Sequence, residues 1–197
     1  MTGLSAPTAD SAPESMARLA GAVAPRLDLP IAMIGLMGAG KSTVGRRLAD
    51  ALRIGFVDAD EAIEEAARLS VAEIFERFGE AHFRDGERRV IARLIEERRG
   101  VIATGGGAFM DDATRGLLLE RAICVWVDCD IATLVERTGR KNTRPLLKDG
   151  DPEAILTRLH RERSPIYAEA HLRVPSDDGP HSVTVARVLE AIDAWLK

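Results

Sequence analysis

The sequence predicts an α/β domain built on a parallel sheet, and three observations carry that expectation. From Ile31 onward, short apolar runs alternate with longer segments whose apolar residues recur at helical spacing, as when strands and helices take turns along a chain. The runs are apolar throughout, as strands covered on both faces are. The first of them leads through a glycine-rich turn directly into a helical segment.

Taken in order, the strands are expected at Ile31 to Ile34, Ile54 to Val57, Val101 to Thr104, Ile123 to Val127 and Leu172 to Val174. Lys41 to Leu52 reads as the first helix of the domain, with Val44, Leu48 and Leu52 on one stripe. Ser70 and Glu73 form a capping box, after which Ile74, Phe75 and Phe78 supply an apolar stripe. A further helix runs from Glu80 to Arg98 and stops at Gly100, turning Val90, Ile91, Leu94 and Ile95 inward. Asp151 and Pro152 are the cap and first residue of another. The last spans Ser182 to Leu196, with Val185, Val188, Leu189, Ile192 and Trp195 on one face.

Residues 1–29 read differently. Met1 to Ala12 holds too little apolar bulk to offset the entropy of ordering, so a disordered arm closed by Pro30 is expected, ahead of a single domain over 30–197. The apolar stretch from Leu19 to Ala24 is too short for a secretory signal and is preceded only by Arg18.

Composition excludes several classes. The 31 acids against 27 bases leave a formal charge of -4 in 197 residues, which gives no global field for nucleic acid or an anionic membrane. No apolar run reaches the roughly 18 residues of a membrane span. Cys124 and Cys129 match neither a disulfide framework nor a zinc module and read as buried thiols of a cytoplasmic protein. Of the bases, 23 are arginine and 4 lysine, so the few positions where either type does chemistry must be found by motif.

The strongest motif is Gly35-Leu36-Met37-Gly38-Ala39-Gly40-Lys41-Ser42, a complete G-x-x-x-x-G-K-S between a strand and a helix. Its backbone N–H groups, with those of Ser42 and Thr43 at the helix start, surround a phosphate chain; Lys41 reaches the β and γ phosphates and Ser42 ligates Mg²⁺. The chain therefore binds a nucleoside triphosphate. A regulatory GTPase would need an N-K-x-D loop, and the lone Lys141-Asn142 pair continues as Thr143-Arg144. Two strand ends offer carboxylates. Asp128 closes Ile123 to Val127, and Asp58 with Asp60 closes the strand after the phosphate-loop helix, where alternation puts both on one side. The second cluster is favoured, with one acid serving a metal and the other an acceptor; Asp60 could also cap the helix behind it.

At this point the sequence resembles the shikimate kinases. Asp58-Ala59-Asp60 with Ile63-Glu64 is similar to the family's D-x-D-x-x-I-E, and Gly79-Glu80 with Phe83-Arg84 and Glu87 to its G-E-x-x-F-R-x-x-E. Gly105-Gly106-Gly107 resembles its glycine triplet, Arg144-Pro145-Leu146-Leu147 its lid motif, and Arg163-Ser164-Pro165-Ile166-Tyr167 its R-x-P-x-Y. These follow the phosphate loop in family order. The resemblance implies a P-loop, nucleoside-monophosphate-kinase-like three-layer α/β/α fold, its five strands in order 2-3-1-4-5, with a mobile lid at about 138–149.

It implies roles as well. ATP would be held by Gly38, Ala39, Gly40, Lys41, Ser42 and Thr43 with Arg137 stacking on adenine and Arg144 reaching the phosphates; Lys41, Asp60 and Arg144 would be catalytic. Arg84 and Arg163 would hold the carboxylate of shikimate, a task for which guanidinium's planar fork suits better than an ammonium. Gly105, Gly106 and Gly107 would line the polyol, and Asp60 would orient its 3-hydroxyl. Ser42 and Asp58 would hold Mg²⁺. Glu87 resembles an acid that fixes an arginine. The expected activity is ATP-dependent phosphorylation of shikimate toward aromatic amino acids by a cytoplasmic monomer, the alternatives being a gluconate-kinase type of enzyme or a silent nucleotide-binding module. His82, His160 and His181 read as surface residues, His171 stands where the family has a small residue, and Pro175 to Pro180 matches no adenine-loop motif.

Overall fold

A computed structural model describes residues 11–97, 100–139 and 150–197. Its sheet has five parallel strands, β1 (Ile31–Ile34), β2 (Gly55–Asp58), β3 (Gly100–Ala103), β4 (Ile123–Cys129) and β5 (Leu172–Ser176), in the order β2-β3-β1-β4-β5. The sheet order and parallel sense are those expected. Strands β1 and β3 are buried along their whole length, while β2, at an edge, is only half covered. Helices α1 (Ser11–Val23), α2 (Lys41–Leu52) and α8 (His181–Trp195) pack together, and α6 (Ile131–Gly139) pairs with α7 (Pro152–Tyr167). Helices α3 (Ala59–Ala67), α4 (Val71–Glu97) and α5 (Asp112–Arg121) complete the chain.

Local chemistry sets several boundaries as anticipated. Ser70 and Glu73 cap α4 reciprocally, Ser70 N donating to Glu73 Oε2 at 2.8 Å and Glu73 N to Ser70 Oγ at 3.2 Å. Asp151 caps α7 through Glu153 N, with Pro152 in the first turn. A new helical segment does start at Glu80 as expected: α4 is two helices run together across a break at Gly79, whose non-helical φ of 79° and ψ of 173° glycine adopts without strain. Ile63, Ile74 and Phe83 form a small apolar cluster joining α3 to α4, with the Phe75 and Phe83 rings 4.6 Å apart.

The structure corrects the expected arm. Residues 11–23 are helical, and Ala20 and Val23 are fully buried against the main core. Arg26 anchors the segment by donating to Asp193 Oδ1 of α8 at 2.6 Å. An amphipathic helix too weak to stand alone is stabilised by the apolar face it covers, and that face belongs to a distant part of the chain. Residues 1–10 lie outside the described residues, as do 140–149, which hold Arg144 and most of the expected lid. Two residues assigned to apolar stripes also differ: Phe78 and Trp195 are exposed, the former beside His82, the latter beside His171.

Candidate active site

Because the strands are parallel, the C-terminal ends of β1, β2 and β3 open on the same edge, where the chain order reverses around β1. The phosphate loop leaves β1, Asp58 ends β2, and the glycine triplet follows β3. Gly35, Gly38 and Gly40 all have positive φ, which curls the loop ahead of α2. Lys41 is buried and its Nζ donates to the carbonyls of Gly35 and Leu36, both at 2.9 Å, while Ser42 and Thr43 are exposed toward the opening.

Asp58 has two tasks. Its Oδ1 accepts from Asp60 N at 3.1 Å, and its Oδ2 accepts from Ser42 Oγ at 2.6 Å. The cap of α3 is thus Asp58, and Asp60 sits inside the first turn. The carboxyl of Asp60 titrates above the usual range, first because it is buried and then because Asp58 faces it, against the opposing pull of Lys41 and Arg84.

The glycine triplet is where the remaining residues converge. A Cβ on Gly105 would lie 2.7 Å from Asp60 Oδ1 and 3.1 Å from Glu87 Oε1; one on Gly107 would lie 2.5 Å from Arg84 Nη2. Neither position can hold a side chain without displacing a charged group, a stronger reason for glycine than turn formation. Gly106, between them, faces Met37 N and Gly35 O of the phosphate loop. Its carbonyl accepts from Arg163 Nη1 at 2.9 Å and from the Tyr167 hydroxyl at 2.5 Å. Of the residues expected to handle an acceptor, Asp60, Arg84, Arg163 and all three glycines are brought together.

Glu87 holds Arg84. It is completely buried in α4, and its Oε2 accepts from Arg84 Nη1 at 2.7 Å, while Glu80 Oε1 accepts from Nη2 at 3.1 Å. Burial raises the Glu87 pKa and the arginine opposes the rise. Burial alone would lower the Arg84 pKa, but the bonds to Glu87 and Glu80 outweigh it. The second Glu87 oxygen, Oε1, is shielded without a partner among the described residues and is the one directed at Gly105.

On the other flank of the phosphate loop, Arg137 of α6 donates to Ala39 O at 3.4 Å, to Ser176 Oγ at 3.3 Å and to Asp177 O. It fastens the loop after β5 to the phosphate loop. Asp128 is engaged elsewhere, accepting from Arg173 Nη2 at 2.7 Å and lying 3.5 Å from His160 Nε2; Asp58 is the acid that reaches Ser42. Tyr167 is legible in the sequence as a motif member without an assigned contact, because its partner is a carbonyl that only folding brings near; Glu87, expected to fix an arginine, holds Arg84 three positions earlier on the same helix. His171, unexplained by sequence, accepts from Cys124 N at 3.0 Å. Cys124 and Cys129 are free and buried, and burial pushes their thiols up to about 12 and about 11.

A phosphate loop on the central strand, beside a glycine triplet bordered by Asp60, Glu87, Arg84 and Arg163, defines a P-loop phosphotransferase in the nucleoside-monophosphate-kinase-like fold. Comparison with known proteins names the family. The family model "Shikimate kinase" matches residues 37–193. A shikimate kinase of Novosphingobium aromaticivorans is 57% identical over 175 residues, covering 87% of this chain and 91% of that protein. The solved shikimate kinase of Acinetobacter baumannii in complex with shikimate superposes with a TM-score of 0.81 at 36% identity, over 89% of this chain and 97% of that one. A gluconokinase from Sinorhizobium meliloti shares the fold alone, at 17% identity and a TM-score of 0.55. The chain belongs to the shikimate kinase family and is an ATP-dependent phosphotransferase.

Proposed function

We propose that this site transfers the γ-phosphoryl group of ATP to the 3-hydroxyl of shikimate, with the roles distributed as follows. The observation that carries the assignment is the convergence of Asp60, Arg163 and Arg84 on three successive glycines, the middle one against the phosphate loop. Arg84 and Arg163 pair the carboxylate of shikimate, and the Gly106 N–H donates to the substrate while its carbonyl is held from behind. Asp60 accepts a hydrogen bond from the attacking hydroxyl. The hydroxyl oxygen forms its bond to the γ phosphorus as the bond to the β–γ bridging oxygen breaks; the hydroxyl proton passes to Asp60 and ADP departs with the bridging oxygen. A carboxylate whose burial makes it more basic suits that transfer, although charge neutralisation and alignment dominate a loose phosphoryl transition state.

Gly38, Ala39, Gly40, Lys41, Ser42 and Thr43 cradle the phosphates, and Arg144 in the lid steadies their charge. The hydroxyl and carboxylate oxygens of Ser42 and Asp58, 2.6 Å apart, form a hard donor pair that fits Mg²⁺, which when bound neutralises β and γ oxygens. Arg137 presents the face of its guanidinium to the adenine. The same reading has the enzyme a monomer of the cytoplasm, a compartment that free, buried thiols suit; among the described residues no helix is long and apolar enough to cross a membrane.

The test is an ADP-release assay with Mg²⁺ and a panel of shikimate, gluconate and nucleoside monophosphates. Turnover with shikimate alone is expected. Turnover with gluconate in its place, or with none of them, would overturn the reading.

A further inference from the structure

Helices α3 and α4 flank a groove with a volume of about 390 Å³ that takes in none of Asp60, Arg84, Glu87 or the glycine triplet. Helical spacing explains the separation. Ile63, Ala66 and Ala67 line it from one stripe of α3, and His82, Gly86, Arg89 and Val90 from one stripe of α4, whereas Arg84 and Glu87 of α4 face Gly107 and Gly105. The buried Ile63, Ile74 and Phe83 form its apolar floor. At its edge stands Phe78, 54% exposed, next to the break at Gly79, with its ring 4.9 Å from that of His82.

Two observations separate this groove from a fault in packing. Gly86 stands in the interior of a helix, where glycine is the least favourable residue after proline. A Cβ there would meet nothing within 4 Å among the described residues, so no neighbouring segment requires the bare backbone; what the glycine does is keep the groove open. The second observation is charge. Among the described residues that line the groove none is acidic, and Arg89 alone carries a fixed charge. Its ion-pair partner Asp85, at 2.9 Å, is shared with Arg88 at 2.6 Å, and one such bond leaves donors of the Arg89 fork for a second anion.

We infer that the groove between α3 and α4 is a second ligand site, which takes a small aromatic monocarboxylate with its ring on the apolar floor beside Phe78 and its carboxylate on Arg89. The volume falls in the range of small-molecule pockets, about 300–1,000 Å³, and the lining has their character, apolar with few polar groups. An exposed aromatic wall favours a ring, and a lone guanidinium selects a planar anion that accepts from its fork.

A ligand-observed NMR titration of the full chain with 3-phenylpropanoate and with its neutral amide reads the site directly. The acid should bind with a Kd of about 1 mM, the scale of a ligand of this size, and the amide about tenfold more weakly, since it gives up the charge-assisted pair. Arg89→Gln should bring the acid to within about twofold of the amide. Gly86→Leu should abolish binding of the acid with Tm no lower than that of the parent, because the added side chain enters open space. An excess of shikimate should not displace the acid. Absence of saturation by about 10 mM, equal affinities for acid and amide, an acid preference retained in Arg89→Gln, binding retained in a folded Gly86→Leu, or displacement by shikimate each overturns the inference.

Discussion

The hydroxyl of Tyr167 donates to the carbonyl of Gly106 at 2.5 Å, reaching from α7 to the turn that follows β3. Tyr167 is itself buried, with Trp126 and Phe109 rings 5.9 Å and 6.4 Å away, and burial pushes its phenol up to about 12, so it remains a donor at every working pH. Arg163 donates to the same carbonyl. A peptide whose oxygen is held from one side presents its N–H in a settled direction.

Tyr167→Phe should therefore impair the acceptor side alone. Losing one neutral hydrogen bond of about 1 kcal/mol while Arg163 retains the other should raise the KM for shikimate by about fivefold, leaving the KM for ATP unmoved. Steady-state kinetics with each substrate varied in turn checks this; an equal rise in both constants would mean general loosening of the fold.

Asp60→Asn should lower kcat by about 10² to 10⁴, the usual scale for removing a positioned general base, with ADP binding retained. It should also raise Tm at neutral pH. The folded-state pKa of Asp60 is raised, so its protonated form is the better tolerated one and the fold loses stability as pH climbs through that pKa. The Tm advantage of the asparagine variant should accordingly vanish on acidification below the ordinary aspartate range, which melting curves across pH would reveal.

Arg84→Ala should unfold more readily than its half-buried position suggests, because it strands the Glu87 carboxylate, only 1% exposed. Breaking a buried pair from one side costs about 3–5 kcal/mol. Adding Glu87→Gln should restore much of that stability without restoring shikimate binding, and denaturant titration of the single and double variants measures both. Acidification should shrink the deficit of the single variant, since the raised Glu87 pKa lets the acid neutralise itself.

Val23→Ala should destabilise the domain although it lies outside the matched family region of 37–193. Removing two fully buried methyl groups costs about 1.5 kcal/mol, a drop of about 3–6 °C in Tm for a chain of this size. An unchanged Tm would return this helix to the status of a passive arm.

Elements with local causes are legible in the sequence. The phosphate loop, α2 from Lys41 to Leu52, the Ser70–Glu73 box and the Asp151–Pro152 helix start depend on residues within a few positions of one another, and apolar runs mark the strands. The helix at 11–23, where a disordered arm is expected, escapes such reading for the complementary reason. Nothing within residues 11–26 reveals that this helix packs on α8 or that Arg26 meets Asp193, more than 150 positions later. Asp58 is recognisable from its motif as a metal-side acid, but its service as the α3 cap depends on where β2 ends, and that boundary falls one residue later than periodicity suggests.

By itself, then, the sequence determined a strand-turn-helix phosphate loop, whose signature resides in residue type and short-range spacing, and its family resemblance singled out the arginines proposed to pair a small anion. The tertiary structure decided how they meet. Gly105, Gly106 and Gly107 are adjacent in the chain, yet Asp60, Arg163 and Arg84 reach them from three different helices, and His181 reaches Gly40 from a fourth. Parallel strands point their C-terminal ends to one edge, so the turns that leave them crowd together; spacing along the chain carries no record of that crowding.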